Sequence, residues 1–123
     1  MPILILVIDD DTAIRLSLSI LLQAKGYDVV VAADGADGFA QFLQHRPQIV
    51  MSDMIMPGHE GLSTIRKMRE HAPDMPIIAM SGSVEGGPAS FLQKAQAAGA
   101  TLCLEKPFET DELLGILADL ERA

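Results

Sequence analysis

The chain has 123 residues, of which 49% are hydrophobic and 21% charged, a composition that excludes intrinsic disorder and is typical of one folded domain. Because 17 acidic side chains outnumber 9 basic ones, the formal net charge is −8, which disfavours direct binding to nucleic acid or an anionic membrane. The single cysteine excludes an internal disulfide, and the apolar run at residues 3–8 is shorter than a membrane span. We therefore expect one cytoplasmic domain over residues 1–123.

Apolar segments typical of buried strands alternate five times with segments whose apolar residues recur at helical spacing. The first half of the chain predicts a strand at 3–8, a helix that ends at Gly26, a strand at 29–31, a helix that ends before Pro47 and a strand at 48–52. The second half predicts a helix that ends near Pro73, a strand at 76–80, a helix that ends at Gly99, a strand at 101–105 and a last helix around 113–120.

Five strand–helix pairs with short connections predict an α/β fold, a five-stranded parallel sheet with helices on both faces. Right-handed crossovers leave few topologies, and the flavodoxin-like strand order 2-1-3-4-5 is the common one for this number of strands. In such folds, ligands bind outside the carboxyl ends of the strands. That edge of the sheet is therefore where a functional site is expected.

Polar residues stand at four strand ends of this edge. Asp9 and Asp10 follow the first strand, Asp53 the third, Ser81 the fourth and Lys106 the fifth. Because these four strands are neighbours in the predicted order, we expect their terminal side chains to converge on one cleft.

The chemistry of this set points to phosphoryl transfer. Three neighbouring carboxylates repel one another, and a hard divalent cation such as Mg²⁺ relieves the repulsion. The cation and the Lys106 ammonium can neutralise an incoming phosphoryl group, so that an ionised carboxylate acts as the nucleophile. The hydroxyl of Ser81 can hydrogen-bond another phosphoryl oxygen, which is the positioning that this reaction requires.

Four motifs at this edge carry a family resemblance. They are Val-Ile-Asp-Asp-Asp at 7–11, Ser-Asp-Met-Ile-Met-Pro-Gly at 52–58, Ser-Gly at 81–82 and Glu-Lys-Pro-Phe at 105–108. In this order and at this spacing, over the whole chain, they resemble the receiver domain of bacterial two-component response regulators, among them the chemotaxis regulators.

The resemblance implies a role for each residue of the acidic cluster. Asp53 would be the phosphoacceptor and a ligand of Mg²⁺. Asp10 would bind the metal directly and Asp9 mainly through water, while the backbone carbonyl of Ile55 would be a further ligand.

The resemblance also implies the phosphoryl contacts and the partners. Lys106 would pair with the phosphoryl group, Ser81 would move to meet it, and the Lys106–Pro107 peptide bond would be cis. The donor would be a phosphohistidine on a sensor histidine kinase or a histidine phosphotransfer protein, selected by the first helix and the loop after the fifth strand. The domain would be regulatory rather than an enzyme, although it assists its own phosphorylation and dephosphorylation. Its fourth helix, fifth strand and fifth helix would engage a partner, a second copy or an output domain.

Three positions depart from the family pattern: Cys103, Ile55 and Gly82, the last of which is often alanine in relatives and gives the following loop extra freedom. Cys103 stands where relatives often carry Tyr or Phe, which puts the aromatic part of the switch in doubt. The position of Ile55 frequently carries a polar residue in relatives. Together with Ser83, it lies where side chains influence the attack of water on the acyl phosphate. We predict that Ile55 slows hydrolysis of the acyl phosphate relative to a polar residue.

Several alternatives stay open at this stage. A haloacid-dehalogenase-type phosphatase also uses an aspartyl phosphate, and Asp9 and Asp11 fit its signature, but Ala13 does not. A flavin-binding module would require a phosphate loop where the aspartates stand, and a degenerate receiver would act only as an interaction module. One aspartate can also cap the first helix, and Asp11 or Thr12 is the candidate.

Overall fold

The computed structural model describes residues 2–54, 60–82 and 87–122 and contains every predicted strand and helix. The strands are β1 Leu4–Ile8, β2 Asp28–Ala32, β3 Ile49–Asp53, β4 Ile77–Ser81 and β5 Leu102–Glu105. The helices are α1 Thr12–Ala24, α2 Gly35–His45, α3 Glu60–His71, α4 Gly87–Ala98 and α5 Thr110–Arg122. Both β3 and β4 run one residue further than predicted, so that Asp53 and Ser81 are the last residues of their strands.

The sheet is parallel throughout, with the order β2-β1-β3-β4-β5, which confirms the predicted topology. Ile8 is level with Ser52, Asp53 with Met80, and Ser81 with Glu105. This register brings the carboxyl ends of β1, β3, β4 and β5 to one edge.

Alternate strand residues separate the core into two clusters, because successive side chains point to opposite faces of a strand. Leu6, Ile8 and Val50 belong to the cluster on the side of α2, α3 and α4. Ile5 and Val7 belong to the cluster on the side of α1 and α5. The side chains of β3 and β4 are almost fully buried. Burial of each large apolar side chain stabilises the fold by about 1.5–3 kcal/mol, so these two strands, which end at Asp53 and Ser81, are held firmly in the core.

The buried face of α2 includes a glycine that lies close to β1. Leu43 is 48% exposed, whereas Gly38 and Phe42 face the core. A Cβ at Gly38 would lie 2.5 Å from Cδ1 of Ile8. The spacing of apolar residues in the sequence does not predict this close approach of α2 to β1.

Helix ends follow the signals in the sequence. Gly26 and Gly99 adopt positive φ angles of 93° and 113°, where a left-handed backbone favours glycine. None of the helices in the described residues has the length and apolar character that crossing a membrane requires.

Candidate functional site

The predicted site residues that the structure describes lie together at the carboxyl edge of the sheet. Asp9 and Ser81 have no exposed surface and Asp53 is 4% exposed, whereas Asp10 is exposed. Ile55 and Ser83, which were also assigned to this site, lie outside the described residues.

Asp9, Asp10 and Asp53 form a cluster of carboxylates. One oxygen from each lies within 4.8 Å of the other two, close enough for all three to surround a single cation. Oxygen donors of this kind suit a hard divalent ion. The exposed side of Asp10 leaves the cluster open to solvent, whereas the buried pair is held by β1 and β3. The residues present therefore fit a magnesium site.

Lys106 joins two members of this cluster. Its Nζ lies 2.6 Å from Oδ2 of Asp9 and 3.5 Å from Oδ2 of Asp53. Burial alone lowers the pKa of the Lys106 ammonium, but the hydrogen bond to Asp9 and the charges of Asp53 and Asp9 outweigh it, so its pKa is raised. Lys106 is therefore a cation at neutral pH and offsets part of the negative charge.

The two aspartates after β1 differ in how far their oxygens are committed. Oδ1 of Asp9 accepts the backbone N–H of Asp11 at 2.9 Å, and Oδ2 accepts Nζ of Lys106. Among the described residues, no group donates a hydrogen bond to the carboxylate of Asp10. Asp10 is thus the carboxylate with free coordination capacity, and Asp9 is anchored.

Asp11 has a structural role instead. Its Oδ1 accepts the N–H groups of Ala13 at 2.8 Å and Ile14 at 3.3 Å, which makes it the N-cap of α1. Of the two capping candidates, Asp11 and not Thr12 is therefore the cap. This leaves Asp9 and Asp10 for the acidic cluster.

The hydroxyl of Ser81 is buried and finds no hydrogen-bond partner within the described part of the chain. Leaving such a group unsatisfied costs about 1–3 kcal/mol. Beside it, the N–H of Lys106 donates to the carbonyl of Ser81 at 2.6 Å, and the Lys106–Pro107 bond is cis, as the resemblance implied. The unsatisfied hydroxyl thus lies at the strand end next to Lys106.

An apolar groove of about 680 Å³ adjoins this edge. It runs between α1 and the loop that follows β5, and its lining includes Ile14, Leu18, Phe108, Lys106 and Gly82. Further out on α1, Leu16 and Ile20 are each 60% exposed. The hydrophobic face of α1 therefore extends beyond the core, a feature that the apolar spacing of this helix could have signalled.

Cys103 is half-buried on β5 and packs against the cluster that α4 covers. Burial raises the pKa of its thiol, which fits a small packed residue. Among the histidines, His45 and His71 are exposed, and His59 lies outside the described residues. The ring of His71 packs edge-on against Phe39, at 5.4 Å between centroids, a contact that the sequence did not predict.

Comparison with known proteins gives a consistent result. A family model described as a response regulator receiver domain matches residues 5–118. The response regulator MprA of Mycobacterium sp. (strain KMS) is 38% identical over 124 residues, which cover 99% of this chain and 52% of MprA. The chain thus spans about half the length of the curated relatives it matches.

Solved structures agree with this match. The chemotaxis protein CheY4 of Vibrio cholerae is similar with a TM-score of 0.89 at 30% identity, over 98% of this chain and 99% of CheY4. NtrX from Brucella abortus is similar with a TM-score of 0.87 at 27% identity, over 98% of this chain and 27% of NtrX.

Proposed function

The chain belongs to the response regulator receiver domain family of two-component systems, and from this premise we propose that it accepts a phosphoryl group on Asp53. The donor would be a phosphohistidine on a sensor histidine kinase or a histidine phosphotransfer protein. The domain then acts as a regulatory switch. Its catalytic contribution is limited to assisting its own phosphorylation and dephosphorylation.

One observation carries this proposal: three carboxylates and one ammonium meet at the carboxyl ends of adjacent strands. Asp53 is buried, and the ammonium of Lys106 lies 3.5 Å from it and 2.6 Å from the anchored Asp9. A structural ion pair would need one carboxylate for one lysine. The two additional negative charges are costly unless a bound cation neutralises them.

Asp9, Asp10 and Asp53 would hold Mg²⁺, with the backbone carbonyl of Ile55 as a further ligand. Asp10 fits direct coordination because its oxygens are uncommitted among the described residues, and Asp9 fits coordination through water because both of its oxygens already accept hydrogen bonds. When bound, the metal supplies charge neutralisation at the phosphoryl oxygens.

In the transfer step, a carboxylate oxygen of Asp53 attacks the phosphorus and a P–O bond forms. The P–N bond to the donor imidazole breaks, and its electron pair stays on the nitrogen, which takes up a proton. The ammonium of Lys106, 3.5 Å from Asp53, would bind a phosphoryl oxygen. The hydroxyl of Ser81, which has no partner among the described residues, would donate to another.

The donor would dock on the groove between α1 and the loop after β5. The groove includes Lys106 and Gly82 in its lining, so that a helix seated there would carry its phosphohistidine to Asp53. The exposed side chains of Leu16 and Ile20 extend this surface, and apolar area of this kind is typical of a docking face.

Signal output would use the face of α4, β5 and α5, where Leu92 and Leu102 are exposed. Curated relatives are about twice as long as this chain, which supports an output domain as the occupant of this face. Because Cys103 replaces the aromatic residue frequent in relatives, transmission would depend on movement of Ser81 and the segment after it rather than on an aromatic ring.

The lifetime of the phosphorylated state would depend on Ile55, whose apolar side chain would hinder attack by water on the acyl phosphate. We expect Ile55→Asn to dephosphorylate faster than the wild type, and a slower variant would contradict this role.

The proposal is tested by incubation with acetyl phosphate and Mg²⁺ followed by intact-mass measurement. The wild type should gain the mass of one phosphoryl group, whereas Asp53→Asn should gain none. Asp28→Asn, which removes an exposed carboxylate on β2, is the matched control and should behave as the wild type. Absence of any gain in the wild type would instead favour a degenerate receiver.

A further inference from the structure

Arg15 of α1 contacts the backbone of the acidic cluster, although no motif in the sequence singles it out. Its Nη1 donates to the backbone carbonyl of Asp9 at 2.6 Å, and its Nη2 donates to Oγ1 of Thr12 at 3.1 Å. The guanidinium is therefore fixed at two points. It spans the turn between the end of β1 and the first turn of α1.

The carbonyl of Asp9 depends on this contact. Asp9 closes the strand ladder through its N–H, which donates to Ala32 at 3.1 Å, while α1 begins its own backbone bonds with the N–H of Arg15 donating to Asp11. The carbonyl of Asp9 lies between these two regular elements. A buried carbonyl must be paired, and the Arg15 guanidinium donates to it.

The orientation of this carbonyl sets the plane of the Asp9–Asp10 peptide unit, because the peptide bond is planar. The backbone of Asp10 continues from that peptide plane. Its carboxylate is exposed, and no described residue donates a hydrogen bond that would orient it. Among the described residues, the backbone at Asp9 and Asp10 is therefore the restraint that keeps the Asp10 carboxylate near Asp9 and Asp53.

We infer that Arg15 is a positioning residue that orients Asp10 for metal binding by holding the Asp9 carbonyl. This inference rests on the proposed function, since it concerns the Mg²⁺ site of the same cluster. It adds a residue outside the four motifs to the group that determines metal affinity.

The sign of the effect separates positioning from simple electrostatics. Arg15 carries a positive charge close to a cation site, so its charge alone would weaken Mg²⁺ binding, and its removal would strengthen it. Loss of positioning has the opposite result, because Asp10 would sample orientations that do not coordinate. A purely structural role would lower stability and leave affinity unchanged.

The experiment is calorimetric titration of the whole chain with Mg²⁺, together with the free energy of unfolding in EDTA. Arg15→Met should bind Mg²⁺ about 10-fold more weakly, the low end for residues that support metal ligands. Arg15→Lys, which keeps the charge and one donor, should lose less. Thr12→Val removes one of the two acceptors of the guanidinium but leaves the Asp9 contact possible, so it should weaken binding less than Arg15→Met does.

Arg66→Met is the matched control, because Arg66 is an exposed arginine on α3, and it should bind as the wild type does. Equal or tighter binding by Arg15→Met, with the wild type binding normally, would overturn the positioning role and leave the proposed function intact. A wild type that shows no saturable Mg²⁺ binding would overturn both.

Discussion

The two ends of the parallel sheet differ in how completely their polar groups are hydrogen-bonded or paired. At the amino ends of β4 and β5, Arg69 is matched by acceptors on all sides: the carbonyls of Ala72, Pro73, Met75 and Gly99 and the hydroxyl of Thr101. At the carboxyl ends, three carboxylates cluster while Lys106 pairs with two of them, and the Ser81 hydroxyl is unsatisfied among the described residues. Matched polar groups stabilise a fold, whereas mismatched ones mark the place where a ligand completes them.

The largest effect on stability is expected at the matched end. Arg69→Met should lower the free energy of unfolding by about 3 kcal/mol, because several carbonyls lose a charged donor at once. Phosphorylation of the folded fraction should be unchanged. Denaturant unfolding and acetyl phosphate labelling measure the two quantities, and Arg66→Met on the same helix is the control. A variant that loses labelling as well would mean that the two ends are coupled.

Lys106→Met should act on both stability and function. It leaves the buried Asp9 without its cation, which we expect to lower the free energy of unfolding by about 2 kcal/mol in EDTA. Mg²⁺ should recover part of the loss, and labelling should be strongly reduced. Lys94→Met, at an exposed position of α4, provides the comparison. Unchanged stability would show that the Asp9–Lys106 pair contributes nothing net.

Asp53→Asn should have the opposite effects to Arg69→Met: it should raise stability and abolish phosphorylation. Removing one of three neighbouring carboxylates relieves repulsion, so the free energy of unfolding in EDTA should rise by about 1 kcal/mol, a typical gain for a stabilising substitution. Labelling should disappear. A destabilised variant would indicate that Asp53 is held by favourable contacts that outweigh the repulsion.

The smallest effect is a dependence on alkaline pH. The pKa of Lys106 is raised in the folded state, so its stabilising contribution is complete below the unfolded value of about 10.5 and is lost as the pH rises through the folded value. The difference in the free energy of unfolding between the wild type and Lys106→Met should therefore become smaller as the pH rises above about 10.5. A difference that grows with pH would contradict the assigned sign.

The sequence predicted the strand order and which side chains reach the carboxyl edge, because periodicity and strand ends are local signals. It did not predict that Arg15 would bind the carbonyl of Asp9, that Ser81 would lack a partner in the described part of the chain, or that Arg69 would contact the ends of both α3 and α4. Those contacts depend on how separate elements approach one another. The burial of Gly38 against Ile8 has the same origin.

The most direct test of the central claim is to locate the phosphoryl group itself. The chain would be phosphorylated with phosphoramidate, a small donor with a P–N bond, in the presence of Mg²⁺. Reduction with borohydride converts an acyl phosphate to a stable alcohol, and peptide mass spectrometry then identifies the modified position. The account predicts modification at Asp53 alone. Modification at Asp9 or Asp10, or none at all, would contradict it.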